Sequence, residues 1–130
     1  MKELNKVNYV SCAEQAIKSL METDRRTGDL VLKLTTSKIR NLLAMVSEIY
    51  NDINHYQNEK LDEEFLSRIQ YLKMRFVYEA GREQMVKSFI QKAEILENID
   101  AIKDKKENLV LFCNYMEALV AYHKFNGGRD

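Results

Sequence analysis

Apolar residues recur along this chain at the three- and four-residue spacing that is typical of amphipathic helices. The spacing predicts helices before Gly28, after Thr35 or Thr36, through residues 65–80, on to about residue 96, and a last one that ends at Gly127–Gly128. The segment Asp29–Leu34 alternates enough to form a strand, but no partner strand is evident, so we expect an extended linker. Roughly five helices with short connections predict an all-α fold, a compact bundle.

The segment from Arg68 to Arg82 predicts a helix with two different faces. One face carries bases and tyrosines at positions i, i+3, i+7, i+10 and i+14, which are Arg68, Tyr71, Arg75, Tyr78 and Arg82. The other face is apolar and consists of Phe65, Ile69, Leu72, Phe76 and Ala80. At 100° per residue the centres of these faces lie roughly 140° apart. One can therefore be buried while the other offers cations and flat rings to solvent.

Composition supports one ordinary folded domain. The 130 residues are 45% hydrophobic and 31% charged, and they contain no proline and four glycines, so long helices can run uninterrupted. We expect a single helical domain over residues 1–130, with an N-terminal helix and loop in 1–33 and a helical core in 34–130. No apolar run has the length of a signal peptide or membrane span, which predicts no membrane association and a cytoplasmic location. Cys12 and Cys113 belong to no pair motif and are expected to be reduced core thiols.

The net charge of zero hides a segregation of charge along the chain. Residues 41–64 hold six acids and one base, whereas residues 65–92 hold six bases and two acids. A neutral protein with this pattern can bind a polyanion on one side and another subunit on the other.

The sequence offers little for catalysis, a metal or a cofactor. The two histidines, His55 and His123, belong to no ligand-spaced cluster, and no nucleophile elbow, phosphate loop or dinucleotide-binding glycine pattern is present. We therefore expect no enzyme, no metal site and no cofactor. His123 lies on the apolar face of the last helix, so it is either a partly buried, hydrogen-bonded side chain or a nucleic-acid contact beside Lys124.

The basic residues make nucleic acid the better candidate ligand. Arginine pairs with phosphates through two hydrogen bonds, and tyrosine rings stack on exposed bases. Lys38 and Arg40 form a second basic cluster in the first turn of their predicted helix, where the dipole favours an anion. Lys73 falls by angle on the apolar side, so it either extends its amine to solvent or reaches a specific partner. The same residues also fit a solvated surface or helices that pair with other subunits.

Three segments resemble one known family: LTTSKIRNLL (34–43), YLKMRFVYEAGR (71–82) and MEALVAYHKFNGGRD (116–130). Together they resemble the small helical subunit of the type III-A CRISPR interference complex, the Csm complex. The last segment is the most specific, because Tyr-His-Lys followed by Gly-Gly is an unusual ending. The resemblance covers residues 34–130.

This resemblance implies a non-catalytic protein whose copies stack head to tail along the duplex of CRISPR RNA and target RNA. It implies other copies of itself and the larger backbone subunits as partners, and a basic surface along the target strand. Carried over by motif and by the two-face argument, the expected RNA-binding residues are Lys38, Arg40, Arg68, Lys73, Arg75, Tyr78, Arg82, His123 and Lys124. The alternative is a helical protein–protein interaction module or homodimer with no nucleic-acid role.

Overall fold

The computed structural model describes residues 3–130, and this part of the chain forms an all-α fold with one small strand pair. Its α-helices are α1 (Tyr9–Leu20), α2 (Arg40–Ile53), α3 (Glu63–Arg82), α4 (Gln84–Lys92), α5 (Ile95–Asp100) and α6 (Lys106–Phe125). The strands are β1 (Glu22–Thr23) and β2 (Leu30–Val31), and a 3₁₀ turn, Thr36–Lys38, precedes α2. The predicted all-α bundle is confirmed, with six helices rather than roughly five.

Helix α6 forms the centre of the bundle, packed against α1 on one side and α2 on another. Its buried side chains occupy more than one face: Leu109, Phe112, Cys113, Tyr115, Met116, Leu119 and His123. The hydroxyl of Tyr115 donates a hydrogen bond of 2.8 Å to the carbonyl oxygen of Ala93. A helix enclosed on several sides suits a long, largely apolar sequence.

Helix α3 lies on the outside of the bundle and contacts α2, α4 and α5. It begins at Asp62, whose carboxylate accepts a 3.0 Å hydrogen bond from the backbone N–H of Phe65, and Glu63 and Glu64 complement the helix dipole. The buried residues are Phe65, Ile69, Leu72 and Phe76. The predicted two-faced helix is therefore confirmed on its apolar side.

The linker predicted for residues 29–34 is partly wrong. Leu30–Val31 pairs in antiparallel fashion with Glu22–Thr23, in a register that aligns Glu22 with Val31. The partner was missed because a two-residue strand has no alternating pattern of its own. The segment therefore closes a short hairpin, residues 22–31, instead of crossing the surface alone.

Burial of two ionisable side chains predicts a loss of stability at alkaline pH. Burial raises the pKa of the Cys113 thiol from 9.0 to about 12 and also raises the pKa of the Tyr115 hydroxyl. Because the native state holds these protons more tightly, their stabilisation is complete below about pH 9 and is lost as the pH rises further. Between pH 8 and pH 10 we expect Cys113 alone to cost about 1.4 kcal/mol of unfolding free energy, measured by urea denaturation.

The matched control is Cys113→Val, which removes the thiol at similar volume. The variant should show a smaller alkaline loss than the wild type. An identical loss in both proteins would contradict the assignment to Cys113.

Two further properties hold over residues 3–130. No helix there combines the length and apolar character needed to cross a bilayer. Nor do three or more His, Cys, Asp or Glu side chains in this part of the chain come together as potential metal ligands.

Candidate nucleic-acid interface

The outer face of α3 carries an aromatic ring between two guanidinium groups. The guanidinium carbons of Arg75 and Arg82 lie 5.2 Å and 5.5 Å from the centroid of the Tyr78 ring, which is 52% exposed. Cation–π attraction at these distances holds the three side chains together. Tyr71, two turns earlier, is 55% exposed. The polar face of α3 thus presents flat rings and positive charge to solvent.

Carboxylates of this chain pair with all four cations on α3. Glu79, which is largely buried, accepts from Arg75 at 3.5 Å and from Arg82 at 3.3 Å. Arg68 pairs with Asp52 of α2 at 2.8 Å, and Lys73 pairs with Asp100 at 2.6 Å. Partly exposed ion pairs of this kind contribute only about 0–1 kcal/mol each, so a phosphate can compete for the cations.

The segment before α2 meets the C-terminal end of α3. The amine of Lys38 lies 3.2 Å from the carboxylate of Glu83. Lys38, Asn41 and Arg82 share the wall of a groove of about 300 Å³. The first two of the three resembling segments, 34–43 and 71–82, therefore line the same groove.

Residues 129 and 130 lie against the segment that precedes α2. The backbone N–H groups of Thr36 and Ser37 donate to the carbonyl oxygens of Arg129 (3.1 Å) and Asp130 (3.0 Å). The Asp130 side chain also accepts from the amine of Lys124 and, at 3.3 Å, from the hydroxyl of Thr36. These hydrogen bonds, led by that of Lys124, lower the pKa of Asp130, and the charge of Arg40 lowers it further. The third resembling segment is thereby joined to the first.

His123 is buried, with 3% of its surface exposed. Its Nε2 lies 2.7 Å from the carbonyl oxygen of Leu34 and must donate, because a carbonyl oxygen only accepts. The Nδ1 atom is buried with no hydrogen-bond partner among the described residues. Of the two interpretations left open by the sequence, the structure places His123 in the hydrogen-bonded, buried position, where it fixes residue 34 against α6.

Gly128 packs directly against the His123 ring. Its N–H donates a 2.7 Å hydrogen bond to the His123 carbonyl oxygen, and a Cβ atom at position 128 would overlap the imidazole. We expect Gly128→Ala to lower the unfolding free energy by about 1–3 kcal/mol, because the ring or the tail must move. Thermal melting followed by circular dichroism measures this.

Gly81→Ala is the matched control for that substitution. Gly81 lies in α3 with nothing near its missing side chain, so alanine there should stabilise the helix by about 0.5–1 kcal/mol. A melting temperature that is unchanged or higher in Gly128→Ala would contradict the packing of Gly128 on His123.

The predicted site residues fall into two groups. One end of the bundle brings together Lys38, Arg40, Arg75, Tyr78, Arg82 and Lys124, with His123 buried behind them. Arg68 is about 21 Å from Arg82 along the axis of α3. Lys73 pairs instead with Asp100, the last residue of α5. The sequence analysis missed Glu79, Glu83 and Asp130, which neutralise this cluster. Of these three, only Glu79 could have been predicted to pair, from its four-residue spacing from Arg75.

Comparison with known proteins points to the same family as the three resembling segments. A family model described as Csm2 Type III-A matches residues 14–129, which extends the resemblance well before residue 34. The CRISPR system Cms protein Csm2 of Streptococcus thermophilus is 50% identical over 123 residues, covering 95% of this chain and 94% of that protein. Proteins of the same name from Mycobacterium tuberculosis (39% identical; 75% and 79% covered) and Enterococcus italicus (40%; 71% and 67%) are also similar.

Proposed function

This chain belongs to the Csm2 type III-A family, the small subunit of the type III-A CRISPR Csm complex, and from that premise we propose that it is a non-catalytic, RNA-binding subunit. It binds the backbone of the target RNA, or of the guide–target duplex, through the basic face that α3 shares with the start of α2. Its place of action is the cytoplasm, and the role requires no cofactor.

The arrangement around Tyr78 is the observation that carries this proposal. A half-exposed ring between two guanidinium groups combines the two chemistries that RNA offers, flat bases and anionic phosphates. Lys38 and Arg40 add further positive charge at the same end of the bundle. The residues proposed for contact are those predicted from the sequence, with His123 acting from within by holding Leu34 in place.

Recognition of shape and backbone suits this surface better than recognition of bases. Arginine and lysine side chains that reach phosphates position a protein on RNA but carry no sequence information. In an RNA-guided complex, sequence is specified by base pairing with the guide, so its small subunit needs only an electrostatic surface.

Weak binding by each copy is compensated when copies stack along one RNA. Four phosphate contacts give a slope of log K against log salt of roughly −3. Several copies held side by side, next to the larger backbone subunits, raise the effective affinity without any new contact. We therefore include other copies of this chain and those subunits among its partners.

Affinity purification from the host under mild salt tests the proposal. Sequencing of the bound RNA should yield guide-length RNAs with repeat-derived ends, and the bound proteins should include larger backbone subunits. Recovery of the protein alone, without RNA, would overturn the proposed function.

One observation favours a second candidate, a helical protein-interaction module or homodimer. The solvent face of α3 also exposes large apolar side chains, Leu66, Met74 and Val77, and such patches mark protein contacts. In that case the purification should return one protein partner whose binding survives RNase treatment.

A further inference from the structure

A second basic groove lies outside the residues considered so far. It has a volume of about 780 Å³ and separates the hairpin, residues 22–31, from the C-terminal tail, residues 126–130. Its charged lining residues are Arg25, Arg26, Lys33, Arg129 and a single acid, Asp24. Leu30, Leu32 and Met85 add apolar surface to the walls.

Backbone hydrogen bonds hold the hairpin side of this groove in one conformation. Asp24 donates to the carbonyl oxygen of Asp29, and Gly28 donates to that of Asp24, both at 2.8 Å. The Asp24 carboxylate is occupied as well, since it accepts from the backbone N–H of Arg26 at 2.8 Å. Gly28 has φ +76°, which only glycine adopts readily. The turn therefore presents Arg25 and Arg26 from a fixed backbone.

The tail side is fixed in a similar way. Gly127 turns the chain with φ +89°, and the Arg129 carbonyl oxygen accepts the Thr36 N–H described above. Arg129 is exposed and extends from this hydrogen-bonded segment. The two walls of the groove thus carry arginines that do not depend on a flexible loop for their position.

The arginines of this groove differ from those of α3 in lacking acidic partners. No carboxylate oxygen among residues 3–130 lies within 4.0 Å of the guanidinium groups of Arg25, Arg26 or Arg129. By contrast, Arg68, Arg75 and Arg82 are all paired within the chain. An incoming anion would displace an internal partner from the arginines of α3, but not from Arg25, Arg26 or Arg129.

The groove continues into the one that contains Lys38 and Arg82. Thr35 lines the first groove and Ser37 lines the second, and their hydroxyl oxygens are 3.0 Å apart. Across that boundary basic side chains extend from Arg25 and Arg26 to Lys38 and Arg82.

We propose that the groove between the hairpin and the tail binds the phosphates of an RNA strand that also contacts α3, with Arg25, Arg26 and Arg129 as the phosphate ligands. Guanidinium groups offer paired N–H donors that match phosphate oxygens, and the apolar wall suits the ribose faces between them. The inference rests on the proposed RNA-binding function and extends it to a region with no predicted site residue.

The test compares two double variants of the full chain with equal loss of charge. Arg25→Ala with Arg26→Ala removes two groove arginines, whereas Lys87→Ala with Lys92→Ala removes two exposed, unpaired lysines of α4. Binding of labelled poly(U) is measured over a range of salt concentrations, with polyglutamate as a competitor. Loss of two phosphate contacts should reduce the salt slope by about 1.4 and the affinity roughly 25-fold at 0.1 M salt. The lysine control should retain nearly all binding, and both variants should melt like the wild type.

The outcomes separate this inference from the function on which it rests. If Arg25→Ala with Arg26→Ala matches the lysine control while Arg75→Gln with Arg82→Gln binds less RNA, the groove is excluded and RNA binding on α3 stands. If the wild type does not bind poly(U) even at low salt, both proposals fail. If the groove arginines are needed for polyglutamate but not for poly(U), the groove binds an acidic protein, and the inference is overturned.

Discussion

Glutamine at both Arg75 and Arg82 is expected to lower the affinity for single-stranded RNA roughly 25-fold at 0.1 M salt. Each lost phosphate contact removes about 0.7 from the slope of log K against log salt, so the slope should fall by about 1.4. Both side chains flank Tyr78 and pair with Glu79, which is largely buried. Glutamine keeps an N–H donor for that carboxylate, which limits the loss of stability, and melting of the variant is measured alongside binding. Fluorescence anisotropy with poly(U) at several salt concentrations measures both quantities.

Glu79→Gln provides a control of the opposite sign. Glu79 accepts from both arginines, so its neutralisation frees two cations and should tighten RNA binding. Weaker RNA binding by Glu79→Gln, or wild-type RNA binding by the two-arginine variant, would contradict the proposal that Arg75 and Arg82 bind phosphates. The first result would mean that Glu79 is needed to orient the guanidinium groups.

Phe76→Ala is expected to have the largest effect on stability, a loss of about 3–5 kcal/mol. Phe76 is fully buried on the apolar face of α3, where truncation leaves a cavity that the neighbouring helices fill only in part. Since domains of this size are stable by about 5–15 kcal/mol, the variant should approach the unfolding threshold. Urea denaturation monitored by circular dichroism gives the difference.

Val77→Ala tests the same helix one residue further on. Val77 is 49% exposed, so its truncation should change the unfolding free energy by no more than about 0.5 kcal/mol. Similar losses for Phe76→Ala and Val77→Ala would contradict the assignment of the two faces of α3.

The helices that the sequence predicts well are those with one buried face. In α3, Phe65, Ile69, Leu72 and Phe76 are buried while Tyr71 and Tyr78 are exposed, because a 3.6-residue period records which side contacts the core. The same periodicity predicts α6, but it does not indicate that Tyr115 is fully buried. A helix enclosed on several sides has no single apolar stripe from which such a residue could be predicted.

The break between α4 and α5 is a second feature that the sequence does not predict. The apolar period continues from Phe89 through Ala93 to Leu96, and we expected one helix there. Instead, Glu94 takes a left-handed conformation with φ +51° and α5 begins at Ile95. No glycine or proline marks the position, so packing rather than local preference determines the turn.

The candidate site was predictable in its residue types but not in its pairing. A stripe of arginines and tyrosines follows from spacing along one helix. The partner of Lys73, in contrast, is Asp100 on α5, and that of Lys38 is Glu83, contacts between residues far apart in the chain. That Arg25 and Arg26 lack acidic partners likewise depends on where the neighbouring carboxylates lie in the folded chain, which the sequence does not indicate.

The packing of α1 against α6 sets the order in which this protein can fold during synthesis. The apolar face of α1, with Ala13, Ala16 and Ile17, leaves the ribosome before the other described helices but is covered mainly by α6, which follows all of them in the chain. At typical elongation rates the nascent helix waits on the order of ten seconds for that partner. Intermediates that lack α6 cannot complete the core, so the bundle folds only after α6 has been synthesised, and the exposed face of α1 is the surface that a chaperone would meet in the interval.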